Sequence, residues 1–200
     1  VAVTVVGKLT HEISLVLRYQ DETVAELNMD FLFAAPTSEK IATFESTSFE
    51  EPLFAEPKDL TKTLLQLLAA PNIASKESVV RTYDHEVKGN TALKPLQGAH
   101  AGPNDAAVLK PLEDSWMGLA ISCGMNPNYG KIDTYWMAAS AIDEAIRNNI
   151  AVGGRRIALL DNFTWGNPEK PERLGSLVRA CEACYDFATA FRTPFISGKD

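Results

Sequence analysis

Hydrophobic and polar residues follow strand-like patterns at the start of this chain and helix-like patterns later. Residues 1–6 and 13–19 are rich in β-branched residues, and TVAELNMDFLF follows a turn at residues 20–22. These runs predict a small antiparallel element, because β-branched and aromatic residues favour strands. Residues 36–57 carry Ser, Thr, Glu and Pro without either hydrophobic period, so we expect a linker there.

Apolar residues at helical spacing predict helices farther along the chain. The first begins at an N-cap candidate, Asp59, and stops at Pro71, and a short helix is expected near Ser75. Residues 133–154 predict the strongest helix, ending at Gly153. Residues 171–192 predict another helix, whose apolar face is expected to comprise Leu174, Leu177, Val178, Cys181, Cys184, Tyr185 and Ala188.

Short strands accompany these helices. TALKPL, NDAAVLKPL and WMGLAISCG predict three strands, and RIALLDN and TPFISG predict two more. The order strands, helix, strand, helix, strand predicts an α+β fold, an α/β sandwich with a mixed sheet covered by helices. We expect three segments: a β-rich segment at residues 1–36, a linker and helix at residues 37–71, and an α+β domain at residues 72–200.

Composition narrows the class of protein. Two hundred residues with 46% hydrophobic content can bury a core. A net charge of -7 argues against a nucleic-acid or anionic membrane surface, which needs clustered Lys and Arg. Three cysteines without a secretory signal indicate a reducing compartment, so we expect a cytoplasmic protein. Because the chain begins inside one predicted strand and stops after another, we expect both ends to be cuts through a longer polypeptide.

Three side chains are candidate ligands for a hard cation. Glu144 and Asn148 lie four residues apart on the strongest helix, so they project from one face. A carboxylate and an amide oxygen suit Mg²⁺, which keeps waters and bridges to phosphates. Asp105 lies in the turn that precedes the strand predicted in NDAAVLKPL, and its carboxylate could reach the same ion. The alternatives are a solvated helix face and an ordinary turn aspartate.

A candidate phosphate site lies at the carboxyl end of a predicted strand. Asp161 ends RIALLD, at the edge where open α/β sheets bind ligands. A strand, helix, strand unit returns alongside its start, so we expect Gly198 beside Asp161. Gly198 lets a phosphate approach the backbone, and Lys199 supplies a charge. Lys76 is either a helix-surface lysine or a nucleotide contact.

The cysteines and histidines carry weaker signals. Cys181 and Cys184 have a CxxC spacing, but they stand alone in a predicted helix, so we expect buried small hydrophobic residues. His11, His85 and His100 show no metal-ligand spacing among themselves.

Five segments in one order resemble a known family: TYDHEVKGNTALKPL, GPNDAAVLKPL, AIDEAIRNNIAVGG, LLDNFTWGNPEKPE and ISGKD. Residues 72–200 are similar to the second-half, PurM-type N-terminal domain of phosphoribosylformylglycinamidine synthases. LNMDFLFAAP resembles the tail of the domain that precedes it in that family. The resemblance implies ATP or ADP and Mg²⁺ as cofactors. It implies that the metal is bound at Asp105, Glu144 and Asn148. It implies that the nucleotide is bound at Lys76, Asp161 and Gly198.

The resemblance implies a ligase reaction in purine biosynthesis. ATP phosphorylates the amide oxygen of formylglycinamide ribonucleotide, and glutamine-derived ammonia displaces the phosphate to give the amidine. The implied partners are this ribonucleotide, the rest of the parent synthetase and a glutaminase domain or subunit, while exposed sheet surface could pair two copies of the segment. No catalytic residue is expected here, since the family's catalytic histidine lies in the missing first half.

Two other functions stay open on the sequence. The domain could be a scaffold that holds a nucleotide as a structural element, or it could belong to a sister synthetase such as aminoimidazole ribonucleotide synthetase. GNPEKPE speaks against the sister enzyme. Lys199 stands where shorter members of the family carry asparagine, and AISCGMNP lacks their aspartate. These departures leave open whether each set of residues serves a catalytic or a structural nucleotide.

Overall fold

The computed structural model describes residues 2–46, 48–82 and 86–199. The chain divides into two units, Val1–Lys40 and Ile41–Asp200. The three-segment division expected from the sequence stays a prediction. None of the helices within the described ranges is long and apolar enough to cross a membrane.

The first unit is built on a β-hairpin. Strand β1 (Ser14–Tyr19) pairs antiparallel with β2 (Glu22–Asn28). Gln20 and Asp21 connect them with φ of 48° and 68°. Two successive positive φ angles match the twist of paired strands, which is why such turns close hairpins. The predicted turn at residues 20–22 is therefore confirmed.

Two predictions for this unit are wrong. Residues 2–6 do not form a strand, and within the described residues no strand pairs with them. β-branched residues gain little from extension without a ladder partner; Val1 lies outside the described residues. The end of TVAELNMDFLF is a short helix, α1 (Met29–Phe33), because Asn28 Oδ1 accepts hydrogen bonds from the N–H groups of Asp30 and Phe31.

The second unit contains the other helices and strands. Its helices are α2 (Leu60–Leu68), α3 (Glu77–Val80), α4 (Thr134–Ala151) and α5 (Pro171–Phe191), with a 3₁₀ turn at Pro127–Lys131. Its strands are β3 (Thr91–Leu93), β4 (Leu96–Gln97), β5 (Gly102–Pro103), β6 (Ala107–Leu109), β7 (Leu119–Ile121), β8 (Leu159–Asn162) and β9 (Phe195–Lys199). The α+β class is confirmed.

The strands of this unit form antiparallel and parallel groups. Within the described residues, β3, β6 and β7 make an antiparallel sheet, β4 pairs with β5, and β8 pairs in parallel with β9. The parallel pair is the product of the β8, α5, β9 crossover, since a helix must return the chain to the starting edge. The predicted mixed sheet would combine parallel and antiparallel pairs. Both kinds of pairing are present here, but in separate sheets.

Local signals account for the helix ends. Asp59 Oδ1 accepts from Lys62 N and caps α2, as predicted. Helix α4 is capped by Asp133, which accepts from Tyr135 N, and ends before Gly153, whose φ is +82°. Only glycine enters that region without strain, so it terminates the helix.

The core of this unit lies between α4 and α5. Ala138 and Ala139 of α4 face Ala180 and Ala183 of α5, and aromatic residues close the cluster from the sides. Small side chains let the two helix backbones approach each other closely. The buried face of α5 therefore consists of its smallest residues.

The apolar face predicted for α5 is not its buried face, because none of the seven predicted residues is fully buried and three of them are exposed. Val178 and Tyr185 are 42% and 73% exposed, and Cys181 is exposed as well. The expectation that both cysteines are buried is wrong, because Cys181 is exposed and Cys184 is only half-buried. Burial nevertheless raises the pKa of the Cys184 thiol to about 11, so it stays protonated at neutral pH. The raised pKa values of both cysteines disfavour a thiolate at neutral pH.

Part of the predicted linker packs against α5. Thr43 N donates to Pro171 O at 3.0 Å, and the Arg179 guanidinium lies 4.3 Å from the centre of the Phe44 ring. Gly175 permits this contact, since a Cβ built there would overlap the backbone of Thr43. The segment at residues 41–44 thus has no regular secondary structure, as a linker predicts, but it is fixed to the helix.

A salt bridge joins the two long helices. Asp133 accepts from Arg179 Nη2 at 2.7 Å and from Arg179 Nε at 3.2 Å. Burial raises the pKa of Asp133, but the hydrogen bonds from Arg179 and from Tyr135 N, with the charge of Arg179, outweigh it, so the pKa lies below its ordinary 3.8. The side chains are 28% and 21% exposed, so solvent screens this pair less than a surface pair.

We expect Asp133→Asn to lower the free energy of unfolding by about 2 kcal/mol at pH 6.5, because the charge-assisted bonds to Arg179 are lost while the cap oxygen remains. Because the pKa of Asp133 is lower in the folded than in the unfolded state, its ionised form stabilises the fold above about pH 4. This stabilisation is lost as the pH falls through the lowered pKa. The difference between wild type and variant should therefore shrink by pH 3. Urea unfolding of both proteins at pH 6.5 and at pH 3 measures this difference in the free energy of unfolding.

The matched control is Asp143→Asn, which breaks the exposed pair between Asp143 and Arg147 on α4. We expect a change within about 0.5 kcal/mol there. Equal losses in the two variants, or a difference for Asp133→Asn that does not depend on pH, would contradict the prediction.

Candidate functional site

The carboxyl ends of β8 and β9 bring two predicted site residues together. Asp161 pairs with Gly198 in the parallel register, and Asn162 pairs with Lys199. The ladder continues one step, because Phe163 N donates to Lys199 O at 2.7 Å. A Cβ built at Gly198 would overlap the Asp161 carboxylate, so glycine is required there. The prediction that Gly198 lies beside Asp161 is confirmed.

The Asp161 carboxylate also faces α5. Burial raises the pKa values of Cys181 and Cys184, and the negative charge of Asp161 raises both further. The Asp161 carboxylate lies against Gly198 of β9 and is half-buried rather than in open solvent. An anion at this edge would meet a negative charge, whereas a cation or a cation–phosphate complex would be attracted.

Aromatic packing holds the loop that follows Asp161. Trp165 Nε1 donates to Ser176 Oγ at 2.9 Å, and the Phe163 ring lies 5.8 Å from the Trp165 ring. Asn167 Oδ1 accepts from Glu169 N at 2.9 Å, which forms an Asx turn before α5. The polar residues of this motif thus build the turn, and its aromatic residues fix the turn to the helix.

The two helix residues predicted as cation ligands hold a second loop. Glu144 Oε2 accepts from Met125 N at 3.1 Å and from Asn126 Nδ2 at 3.0 Å. Asn148 Nδ2 donates to Cys123 O at 3.0 Å. Both side chains therefore point from α4 toward residues 123–126, as their shared face predicts.

Gly124 lets this loop lie on α4. A Cβ built there would overlap the backbone of Ala141 and contact that of Ala145. Ser122 Oγ also donates to Ala145 O at 2.7 Å. The sequence analysis missed this contact; the signal was the glycine in SCGMNP, directly after a predicted strand.

Asp105 lies at the same end of the antiparallel sheet. Ala107 pairs with Ile121, so Asp105 precedes β6 by two residues and Cys123 follows β7 by two. Both are beyond the same end of the ladder, and Asp105 is exposed. Across the described residues, no three His, Cys, Asp or Glu side chains gather as a metal site. Convergence of Asp105 with Glu144 and Asn148 on one ion stays a prediction.

Lys76 stands apart from these groups along the chain. It precedes α3, is exposed, and its Nζ donates to Ala74 O. This contact fits a helix-surface lysine, and the nucleotide role stays a prediction. His85 and its neighbours Tyr83 and Asp84 lie outside the described residues.

The side chains of Glu144 and Asn148 fit Mg²⁺ that is bound through few protein oxygens and keeps waters or phosphate oxygens as its other ligands. Glu144 and Asn148 each use one side-chain atom on the loop, which leaves Glu144 Oε1 and Asn148 Oδ1 without a hydrogen bond in the described part of the chain. Mg²⁺ is usually bound through one or two carboxylates while keeping waters and phosphate oxygens. These residues fit such an ion, and they do not fit an ion enclosed by protein ligands.

Comparison with known proteins identifies relatives along nearly the whole chain. Residues 103–199 match the family described as AIR synthase related protein, N-terminal domain. The chain is 37% identical over 197 residues to phosphoribosylformylglycinamidine synthase subunit PurL of Methanocaldococcus jannaschii, covering 98% of this chain and 26% of the relative. The same subunit of Methanothrix thermoacetophila is 37% identical over 169 residues, covering 84% and 21%. The chain spans about a quarter of these relatives' length.

Solved structures show the same fold. T. maritima PurL complexed with ADP matches with a TM-score of 0.60 at 22% identity, covering 94% of this chain and 28% of that one. T. maritima PurL complexed with FGAR matches with a TM-score of 0.55 at 22% identity, covering 94% and 27%. The family resemblance drawn from the sequence motifs is confirmed.

Proposed function

We propose that the chain, whose residues 103–199 match the family described as AIR synthase related protein, N-terminal domain, is a nucleotide-binding segment of a phosphoribosylformylglycinamidine synthase. The parent enzyme would be a ligase of purine biosynthesis. Its ATP would phosphorylate the amide oxygen of formylglycinamide ribonucleotide, and ammonia from a glutaminase would displace the phosphate. The relatives that support this proposal bear that enzyme's name.

One observation carries the proposal: the Asp161 carboxylate lies against the glycine of the neighbouring parallel strand. Ligands of α/β folds bind at the carboxyl ends of such strands. The Asp161 carboxylate fills the space that a side chain at Gly198 would take, so a phosphate would approach this strand end as a cation–phosphate complex, and the cationic Lys199 follows Gly198 in the strand. We propose that Asp161 and Gly198 contact the nucleotide, with Lys76 as a further phosphate contact.

The second part of the proposal concerns the metal. Glu144, Asn148 and Asp105 would hold Mg²⁺ through oxygens, and the ion would supply charge neutralisation at the phosphates. The chain's own contribution is positional. Hydrogen bonds from the loop at residues 123–126 fix Glu144 and Asn148 in orientation before any ligand arrives.

Calorimetric titration of the chain with Mg-ATP tests the site. We expect Asp161→Asn and Glu144→Gln each to weaken binding by roughly tenfold or more, the loss expected for one charge-assisted contact. Glutamine keeps the acceptor that the loop uses, so the fold is retained. The Glu144→Gln effect should vanish when EDTA replaces Mg²⁺, because that side chain acts through the metal.

Glu113→Gln is the control, because Glu113 is an exposed carboxylate between β6 and β7, beyond the opposite end of that ladder from Asp105 and Cys123. Equal affinities for Glu113→Gln, Asp161→Asn and Glu144→Gln would refute the site assignment. The scaffold alternative draws support from the structural bonds of Glu144. It predicts nucleotide binding that raises the thermal midpoint equally with and without Mg²⁺ and is unaffected by Glu144→Gln.

A further inference from the structure

Three arginines meet at the opposite end of the β8–α5–β9 unit from Asp161. Arg155 and Arg156 precede β8, and Arg192 directly follows α5. They line one cavity of about 330 Å³, which Ile150, Gly154 and Phe191 complete. Its lining contains no Asp or Glu among the described residues, although the whole chain carries a net charge of -7.

Helix capping accounts for only one of these arginines. Arg156 Nε donates to Phe191 O at 3.0 Å, at the end of α5, and its guanidinium lies 5.9 Å from the Phe191 ring. Backbone N–H groups already serve the neighbouring carbonyls: Gly154 donates to Asn149 O, and Thr193 donates to Ala188 O. The side chains of Arg155 and Arg192 have no hydrogen bond or ion pair within the described ranges, so capping leaves both guanidinium groups available.

The backbone at Arg192 points to a use for its side chain. Arg192 has φ 51° and ψ 45°, the left-handed conformation in which glycine most often follows a helix. A side chain in this conformation is strained, and strained residues that persist are frequent at ligand sites. An arginine here presents its charge to the cavity at a position where glycine would serve the fold equally well.

The charge balance of the cavity favours an anion. Two helix C-termini contribute roughly half a negative charge each, against three guanidinium groups. The cavity therefore keeps about two positive charges, and planar guanidinium groups match the oxygens of a phosphate through paired hydrogen bonds. From this geometry we propose that the cavity formed by Arg155, Arg156 and Arg192 binds an oxyanion of the phosphate class, as inorganic phosphate or as a phosphate monoester.

Titration of the full chain with inorganic phosphate, without Mg²⁺, tests the site by calorimetry and by the thermal unfolding midpoint. We expect Arg155→Gln and Arg192→Gly each to weaken phosphate binding roughly tenfold, as for a lost charged hydrogen bond. Arg192→Gly should keep or raise the unfolding midpoint of the free protein, since glycine accepts the left-handed conformation. Weaker phosphate binding by Arg192→Gly could then not be attributed to partial unfolding of the variant.

Arg147→Gln is the matched control, because Arg147 lies on α4 and is engaged by Asp143. Unchanged phosphate affinity in Arg155→Gln and Arg192→Gly, relative to this control, would overturn the proposal. So would an equal rise in unfolding midpoint with sodium chloride at the same ionic strength. Glycerol phosphate in a parallel titration separates the sources: tighter binding than phosphate indicates a monoester, and weaker binding indicates the free ion.

Discussion

Gly124→Ala is expected to lower the free energy of unfolding by about 3 kcal/mol, at the upper end of what overpacking usually costs. The added Cβ would overlap the carbonyl of Ala141 and press on the backbone of Ala145. These atoms belong to hydrogen-bonded turns of α4, so neither can move without breaking the helix. The loop must leave the helix instead, and Glu144 then loses the hydrogen bonds from Met125 and Asn126.

Urea unfolding of the variant measures this loss, and Gly102→Ala is the control. A Cβ at Gly102 would meet only Gln97 O, at an ordinary 3.7 Å. We expect Gly102→Ala to change stability by no more than about 0.5 kcal/mol, the usual range for surface substitutions. Similar losses in the two variants would show that the loop does not lie on α4 as described.

Gly198→Ala is also expected to lower the free energy of unfolding, by about 2 kcal/mol. Here the obstacle is a side chain, the carboxylate of Asp161, and not a backbone. Removal of that carboxylate should therefore restore space for the methyl group. The double variant Asp161→Ala, Gly198→Ala should be more stable than the sum of the single changes predicts, by about 1 kcal/mol or more.

The test of this coupling is a double-mutant cycle followed by urea unfolding. Ser197→Ala, in the same strand, is the control, because it introduces no new Cβ. It should lose little stability and show no coupling to Asp161→Ala. If the effects of Asp161→Ala and Gly198→Ala simply add, the close contact between the two strands is refuted, and with it the observation that supports the nucleotide site.

Local chemistry in the sequence was sufficient to predict most helices and several strands. Asp59 and Gly153 act through their own side chain and backbone, so a short window contains the whole signal. The parallel return of β9 to β8 was also predictable, since a crossover of this length has one usual outcome. Residues 2–6 show the limit, because a strand depends on a partner that a local pattern does not contain.

The buried face of α5 could not be predicted from apolar periodicity. Larger apolar residues such as Val178 and Tyr185 formed the more hydrophobic stripe, whereas the packed face uses Ala180 and Ala183. Close contact between two helices selects for small volume, which hydrophobicity alone does not report. Likewise the cavity at Arg155 and Arg192 joins residues far apart in sequence, and only the folded crossover brings them together.

The anchoring of Trp165 to α5 gives the protein an internal optical reporter. The chain has three tryptophans, of which Trp116 and Trp136 are 95% and 62% exposed. Iodide should quench the emission of those two first, leaving fluorescence dominated by the indole whose Nε1 is bonded to Ser176. Because Trp165 follows Asp161 by four positions, that residual emission reports directly on the strand end where the nucleotide is proposed to bind.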